Sequence, residues 1–369
     1  MTMKLSILGI RGIPAQHGGF ETFAEKLSVY LSSKDWDVTV YCQEEGEGDP
    51  WLSEWQGISR VHIPVKGTGA LSTIVFDWKA TWHASNQDGL FLTLGYNTAI
   101  FNILQRLKGQ INLFNMDGIE WRREKWGFLA KAWFWLNERA GCWIGNHLIA
   151  DHPKIKEHLS TRTDSKKVTM IPYGADEVNE ADIELLKEYG IAPQNHSIII
   201  ARPEPENSIL EIVRAFSQKR RNHYLVVLGS FAPDVNVYHS SIFNAASDEV
   251  IFPGAIYDSA KVKALRLYCS YYLHGHRVGG TNPSLVEALG AGCAVIAHDN
   301  HFNRWVAATG ARYFQDEHSC AVLFNEIISD SNEIKRLQKN SRSRFSETFT
   351  WDKVLFAYES LLADWQPKK

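Results

Sequence analysis

Chemistry is densest between His274 and Glu287, where the sequence runs His-Gly-His-Arg-Val-Gly-Gly-Thr-Asn-Pro-Ser-Leu-Val-Glu. A strand-like run (Tyr271, Tyr272, Leu273) precedes it, and a helical pattern, Leu285-Val286-Glu287-Ala288-Leu289, follows. Two adjacent glycines, a Pro-Ser step and a helix start gather several backbone N–H groups at one point. First-turn amides have no partner inside their helix and the helix dipole favours negative charge there, so the segment suits an anion. Glu287 is expected in the first turn, where its carboxylate can accept hydrogen bonds from ligand hydroxyls. A nucleoside diphosphate with its ribose meets both requirements, which points to an enzyme of activated nucleotides. His274 and His276 flank a glycine. A metal site would need a third ligand, so a hydrogen bond to sugar or phosphate is the functional expectation and a buried structural role the alternative.

Other residues carry chemistry elsewhere. The loop Arg11-Gly-Ile-Pro-Ala-Gln-His-Gly-Gly-Phe-Glu21 follows a short strand, the position at which open α/β sheets bind ligands. Gly18 and Gly19 would let the backbone approach a phosphate, although tight turns alone would also use them. The spacing is not Gly-x-Gly-x-x-Gly, which disfavours a nicotinamide dehydrogenase. Arg202 closes the strand Ile198-Ile-Ile-Ala-Arg202; it could bind an oxyanion bidentately or pair with Glu204 or Glu206 at the surface. Asp117 and Glu120 follow another strand and could orient hydroxyls or relay a proton, while Asp117 could equally cap a helix. Asp35-Trp36-Asp37 has the look of a metal-binding pair, but it falls between a helix and a strand, where aspartate is common for turn reasons, and the turn is the expected role. Residues 121–135 mix tryptophans with lysine and arginine, a composition fit for a membrane interface or for a helix using its aromatics as core.

These residues must be positioned by a large framework. At 369 residues the chain is long enough for two domains. Its 12% aromatic content speaks against disorder, and a net charge of −3 provides no basic field for nucleic acid. The five cysteines are scattered without a Cys-x-x-Cys pair, as expected of a reduced protein. No signal peptide or transmembrane stretch is legible, so a cytoplasmic protein is expected, or one at the inner face of the cytoplasmic membrane. Strand and helix patterns alternate from Lys4 to Ile171 and again after about residue 190, the mark of two doubly wound parallel sheets. A final helix, 350–364, is rich in aromatics and is expected to pack back on the first domain.

Taken together, these positions resemble the retaining family 4 glycosyltransferases of the GT-B fold, more narrowly the bacterial subgroup that includes rhamnosyltransferases for surface polysaccharides. The resemblance rests on Ile10–Thr22, the hinge Ile171-Pro-Tyr-Gly-Ala-Asp176, Ala201–Asn207 and His274–Glu287. It implies an α/β architecture of two Rossmann-like domains facing a central cleft. Residues 1–173 would be the acceptor domain and 174–348 the nucleotide-sugar domain, with 349–369 packing back on the first. It also implies site roles. Gly18, Gly19, Arg202, Thr281, Asn282, Pro283, Ser284 and Leu285 would hold the donor diphosphate, Glu287 the ribose, and Gly254 and Ile256 the base. Arg202, Asp117 and His276 would be the catalytic residues, with no metal or other cofactor. The implied partners are a nucleotide-sugar donor, such as dTDP-rhamnose, and a glycan or polyprenyl-linked saccharide acceptor. A peripheral membrane contact would run through 121–135.

Departures from the family pattern leave alternatives open. Gly279 stands where a first glutamate is usual, Asn207 replaces a lysine, Asp117 replaces a histidine, and Trp305 takes a place that tends to be acidic. A UDP- or GDP-hexose donor, a sugar-nucleotide epimerase of the same architecture, and a scaffold without catalysis are the rival expectations.

Overall fold

A computed structural model describes residues 3–16, 18–327 and 330–366. The chain divides into two compact units. The first holds the chain up to Pro172 together with the segment from Trp351 onward, and the second is Tyr173–Thr350.

The first unit runs β1 (Lys4–Leu8), α1 (Gly19–Ser32), β2 (Asp37–Glu45), β3 (Trp51–Trp55), β4 (Ile58–Val65), α2 (Ala70–Ala84), β5 (Leu90–Leu94), α3 (Ile103–Leu107), β6 (Ile111–Asn115), α4 (Phe128–Ile144), β7 (His147–Ala150), α5 (Pro153–Ser160) and β8 (Val168–Met170). Its sheet has the order β3-β4-β2-β1-β5-β6-β7-β8. All neighbours are parallel except β3, which closes an antiparallel hairpin on β4. Inner strands such as Leu90-Phe-Leu-Thr-Leu94 are buried throughout, as strands covered on both faces must be. The step from β1 to β2 moves one way across the sheet, β3 and β4 extend it that way, and every later helical crossover, from β4 to β5 onward, moves the other way. Right-handed connection therefore puts α1 on one face and α2 to α5 together on the opposite face.

The second unit runs β9 (His196–Ile200), α6 (Ile209–Ser217), β10 (Tyr224–Leu228), α7 (Val237–Ala245), β11 (Val250–Gly254), α8 (Ser259–Leu267), β12 (Tyr271–His274), α9 (Pro283–Gly290), β13 (Val295–His298), α10 (His301–Ala307), β14 (Ala311–Phe314), α11 (Glu317–Ile327) and α12 (Ser331–Thr348). Its sheet, β11-β10-β9-β12-β13-β14, is parallel throughout. One apolar cluster on each side of this sheet forms its core.

The last helix, α13 (Trp351–Asp364), belongs to the first unit. It lies against α1, with the Phe23 and Tyr358 rings 4.5 Å apart, and the Tyr358 hydroxyl accepts from Asn115 Nδ2 at 2.8 Å. Among the described residues no helix is long and apolar enough to cross a membrane.

Candidate functional site

Each sheet has one place where consecutive strands leave in opposite directions, and loops at the carboxyl ends there diverge into a crevice. In the second unit that switch point lies between β9 and β12, so the Arg202 loop and the segment from Gly275 to Asn282 are neighbours. Hydrogen bonds tie them. Arg277 N donates to Glu206 O at 2.9 Å and Arg277 Nη2 to Pro205 O at 2.7 Å. A side chain at Gly275 would place its Cβ 2.1 Å from Asn207 O, so only glycine permits this approach. Asn207 is buried and donates Nδ2 to Arg202 O at 2.8 Å, so it fixes the turn that carries the arginine. The Arg202 side chain is exposed and makes no ion pair among the described residues, with neither Glu204 nor Glu206 taking it.

The start of α9 differs from the sequence expectation. Asn282 caps the helix: its Oδ1 accepts from Ser284 N at 3.1 Å and from Ser284 Oγ at 2.9 Å, and its carbonyl accepts from Leu285 N and Val286 N. Pro283 has no N–H to offer. The first-turn amides are thus satisfied locally, and an anion at this corner must use the preceding loop or displace the Asn282 side chain. The Leu285 side chain is wholly buried in the core and Thr281 is buried too.

Glu287 is the fifth residue of α9, one turn further in than expected. Pro283 defines the first helical position, which moves the carboxylate into the second turn. There its Oε2 meets Arg266 Nη2 of α8 at 2.7 Å. The arginine side chain is 7% exposed and the glutamate 40%, so Glu287 neutralises a buried cation while keeping one side toward solvent.

His274 is fully buried, and neither ring nitrogen has a hydrogen-bond partner among the described residues. The His276 ring stacks on it at 4.3 Å. Burial, with the neighbouring His276 and His298, depresses the His274 pKa, so the ring is neutral. The His276 carbonyl accepts from Asn300 Nδ2 at 3.0 Å and Asn303 Nδ2 at 2.9 Å, two residues that brace this strand end. Gly279 has a φ of +134° with open space where a Cβ would stand; the backbone, not crowding, favours glycine there. Trp305 packs edge-on against Phe349 at 5.6 Å with the Arg344 guanidinium over its ring, a role in the packing of the second unit. Gly254 ends β11 with φ +84°, and Ile256 packs on the core beside it.

In the first unit the switch point lies between β1 and β5. Gly9 is forced by Leu94 O, which a Cβ would meet at 2.2 Å. Arg60 Nη1 donates to Ile13 O at 3.2 Å and Gln43 N to Arg11 O at 2.8 Å, pinning the first half of the loop. Gly18 and Gly19 stand at the N-terminus of α1, where no side chain caps the helix among the described residues. Glu21 folds toward this end, its Oε2 lying 3.0 Å from a Cβ placed on Gly18, and an anion there would have to move it.

A polar cavity of about 320 Å³ opens beside this loop, lined by Arg11, Gln16, Glu21, Gln43, Glu44 and Arg60 among others. At its wall His62 donates or accepts through both nitrogens, Nδ1 to Glu44 Oε1 at 2.6 Å and Nε2 to Ser53 Oγ at 2.7 Å, under the stacked Trp51 ring. The hairpin that builds it carries no motif in the sequence, and Trp51-Leu-Ser-Glu-Trp55 lacks the apolar–polar alternation that marks a half-buried strand.

Asp117 follows β6 in a left-handed conformation, φ +51°, with its N–H held by Asn115 Oδ1. It caps no helix, contrary to the structural alternative in the sequence. Burial, and next the Glu120 charge, raise its pKa to about 6. Glu120 is committed to Arg123 at 3.1 Å and to Trp126 Nε1 at 3.0 Å. The tryptophans of 121–135 divide into two sets. Trp121 donates to Glu138, Trp126 to Glu120 and Trp133 to Asn97 O, whereas Trp135 is exposed. Among the described residues no group of three or more His, Cys, Asp or Glu side chains could hold a metal ion.

Comparison with known proteins agrees with this frame. Residues 183–344 match the family described as glycosyl transferases group 1, and residues 2–176 match a domain of unknown function, DUF1972. No curated protein matches. Among solved structures, sucrose-phosphate synthase from Thermosynechococcus elongatus superposes with a TM-score of 0.80 at 16% identity, covering 98% of both chains. HepE of Anabaena, solved with UDP and glucose, gives 0.77 at 14% identity over 98% of this chain and 100% of its own. An α,α-trehalose-phosphate synthase (UDP-forming) from Burkholderia xenovorans gives 0.73 at 11% identity, over 98% and 100%. The chain has the GT-B fold of two Rossmann-like α/β units with parallel sheets.

Proposed function

We propose that the protein is a retaining, metal-independent glycosyltransferase that moves a hexose from a nucleotide sugar to a glycan acceptor. The observation that carries this is the switch point of the second unit. There an exposed arginine without an ion-pair partner among the described residues and the half-exposed carboxylate of Glu287 occupy adjoining loop and helix, inside the segment that matches group 1 glycosyl transferases. Arg202 would stabilise charge developing on the departing diphosphate, with Thr281 to Leu285 beside it, Glu287 on the ribose, and Gly254 and Ile256 at the base. The resemblance would also place Gly18 and Gly19, at the start of α1, beside the diphosphate. The acceptor proton would pass to the leaving phosphate oxygen on the face from which it departs. Asp117 and His276 would orient hydroxyls.

The resemblance to bacterial rhamnosyltransferases supports L-rhamnose from its dTDP donor, and surface-polysaccharide assembly on a lipid-linked acceptor at the inner face of the cytoplasmic membrane. A UDP-hexose donor is the second candidate, since HepE was solved with UDP-glucose. The test is calorimetric binding of dTDP-rhamnose, UDP-glucose and GDP-mannose, followed by transfer to a saccharide acceptor and NMR of the product anomer. Tight binding of one donor with retention supports the proposal. An inverted product overturns the mechanism, and a changed sugar from donor alone replaces transfer with epimerisation.

A further inference from the structure

α2 carries an unpartnered apolar stripe. Leu71, Val75, Trp78 and Trp82 recur at spacings of four, three and four, which places them on one side of the helix, and all four are exposed. The core takes the other side through Phe76, Ala80 and Ala84. Because α2 and α4 lie on the same face of the first sheet, their outward sides point the same way. The short turn Ala99–Asn102 touches both helices, and its Phe101 ring meets Trp78 edge-on at 5.3 Å. On α4 the outward residues are Phe128 (84% exposed), Leu129, Trp135, Leu136 and Trp143 (59%).

The charges on this face have one sign. Arg139 lies over the Trp135 ring at 3.4 Å and Arg106 over Trp143 at 4.9 Å, and Lys131 adds a third cation. The carboxylates of the two helices are turned in: Asp77 accepts from Thr98 Oγ1 at 2.8 Å, and Glu138 is buried against His158 and Arg162. Indoles with cations at their edges and aliphatic side chains between them suit the headgroup region of a bilayer. Facing cationic surfaces repel, which disfavours a second copy as the occupant.

We propose that the outer faces of α2 and α4 form one docking surface for a membrane bearing anionic lipid headgroups. This extends the membrane-face reading of the proposed function from residues 121–135 to α2, and rests on it. Binding then combines burial of the apolar side chains with attraction of Lys131, Arg139 and Arg106 to the lipid charge.

The full chain would be floated with phosphatidylcholine vesicles containing or lacking phosphatidylglycerol. Binding at least roughly tenfold stronger to the anionic vesicles is expected, weakened by salt. Trp82→Glu on α2 and Trp143→Glu on α4 should each lower it by roughly tenfold or more. Leu71→Glu, at a 79% exposed site, gives the same readout where packing cannot be disturbed. Absence of vesicle binding, equal binding to neutral vesicles, or full binding by both Trp82→Glu and Leu71→Glu overturns the proposal. So does a dimer in sedimentation velocity that the same substitutions dissolve. Donor binding without lipid is measured in parallel, and its loss alone counts against the transferase reading rather than the docking surface.

Discussion

Glu287 has two tasks, and substitutions can separate them. Its carboxylate neutralises Arg266, whose side chain is 7% exposed and whose Nε has no partner among the described residues. Removing one partner of a buried pair costs about 3–5 kcal/mol. The glutamate is 40% exposed, so water replaces part of what is lost and the expected cost of Glu287→Ala falls to about 1–3 kcal/mol. For a unit of this size that lowers the melting temperature by roughly 2–12 °C. Glu287→Gln keeps an acceptor for Arg266 Nη2 and should cost under about 1 kcal/mol, since the hydrogen bond survives without the charge.

The proposed ribose contact adds a separate loss. A hydrogen bond to a charged group contributes about 1.5–3 kcal/mol, so kcat/KM should fall by about 10- to 150-fold in Glu287→Ala, mainly through KM if the contact is equal in ground and transition states. The decisive variant is Arg266→Met with Glu287→Leu. Replacing both charges by apolar groups of similar volume should restore stability and leave donor affinity low. Thermal unfolding and donor calorimetry on the same preparations check both. If Glu287→Ala melts with the wild type, the ion pair is not structural; if the apolar pair regains donor affinity, Glu287 does not touch the ribose.

Three further outcomes follow from the geometry. Arg202→Ala should lower turnover by about 10²–10³-fold with unchanged melting, because its side chain supports no described residue; near-normal turnover removes it from the mechanism. Asp117 has its pKa raised to about 6, so if its ionised form is needed, kcat/KM rises with pH through about 6, and Asp117→Asn abolishes that limb of the profile. Burial raises Asp77 to about 7, above its ordinary value of 3.8. The unfolded chain therefore releases this proton first, and its contribution to stability declines as pH rises from about 4 to 7. Asp77→Asn should consequently melt higher than the wild type at pH 8, with the advantage shrinking toward pH 4; a constant difference across that range contradicts the shift.

What the sequence discloses is local. The buried strands announce themselves as short apolar runs, and Asn282-Pro283 marks a helix start because a cap and an N1 proline act within four residues. Yet the same local rule, followed one step further, undoes the simplest anion site: a residue good at capping a helix occupies the amides a ligand would want. Contacts that join distant segments leave no trace in spacing. Arg266 is 21 residues from Glu287, and its one signal is a lone arginine on the buried side of α8 beside Ala264 and Leu265. Asn207 reads as a lost lysine until the fold shows it holding the Arg202 turn, and Trp305 reads as a lost acid until Phe349 and Arg344 close around it. Gly279 differs from these two. Its φ of +134° makes a glutamate strained in the present backbone, so a restored side chain would change the loop before it could reach a sugar. The departures at 207 and 305 are therefore structural replacements already built into the second unit. At 279 the backbone itself bears on which sugar the loop can meet.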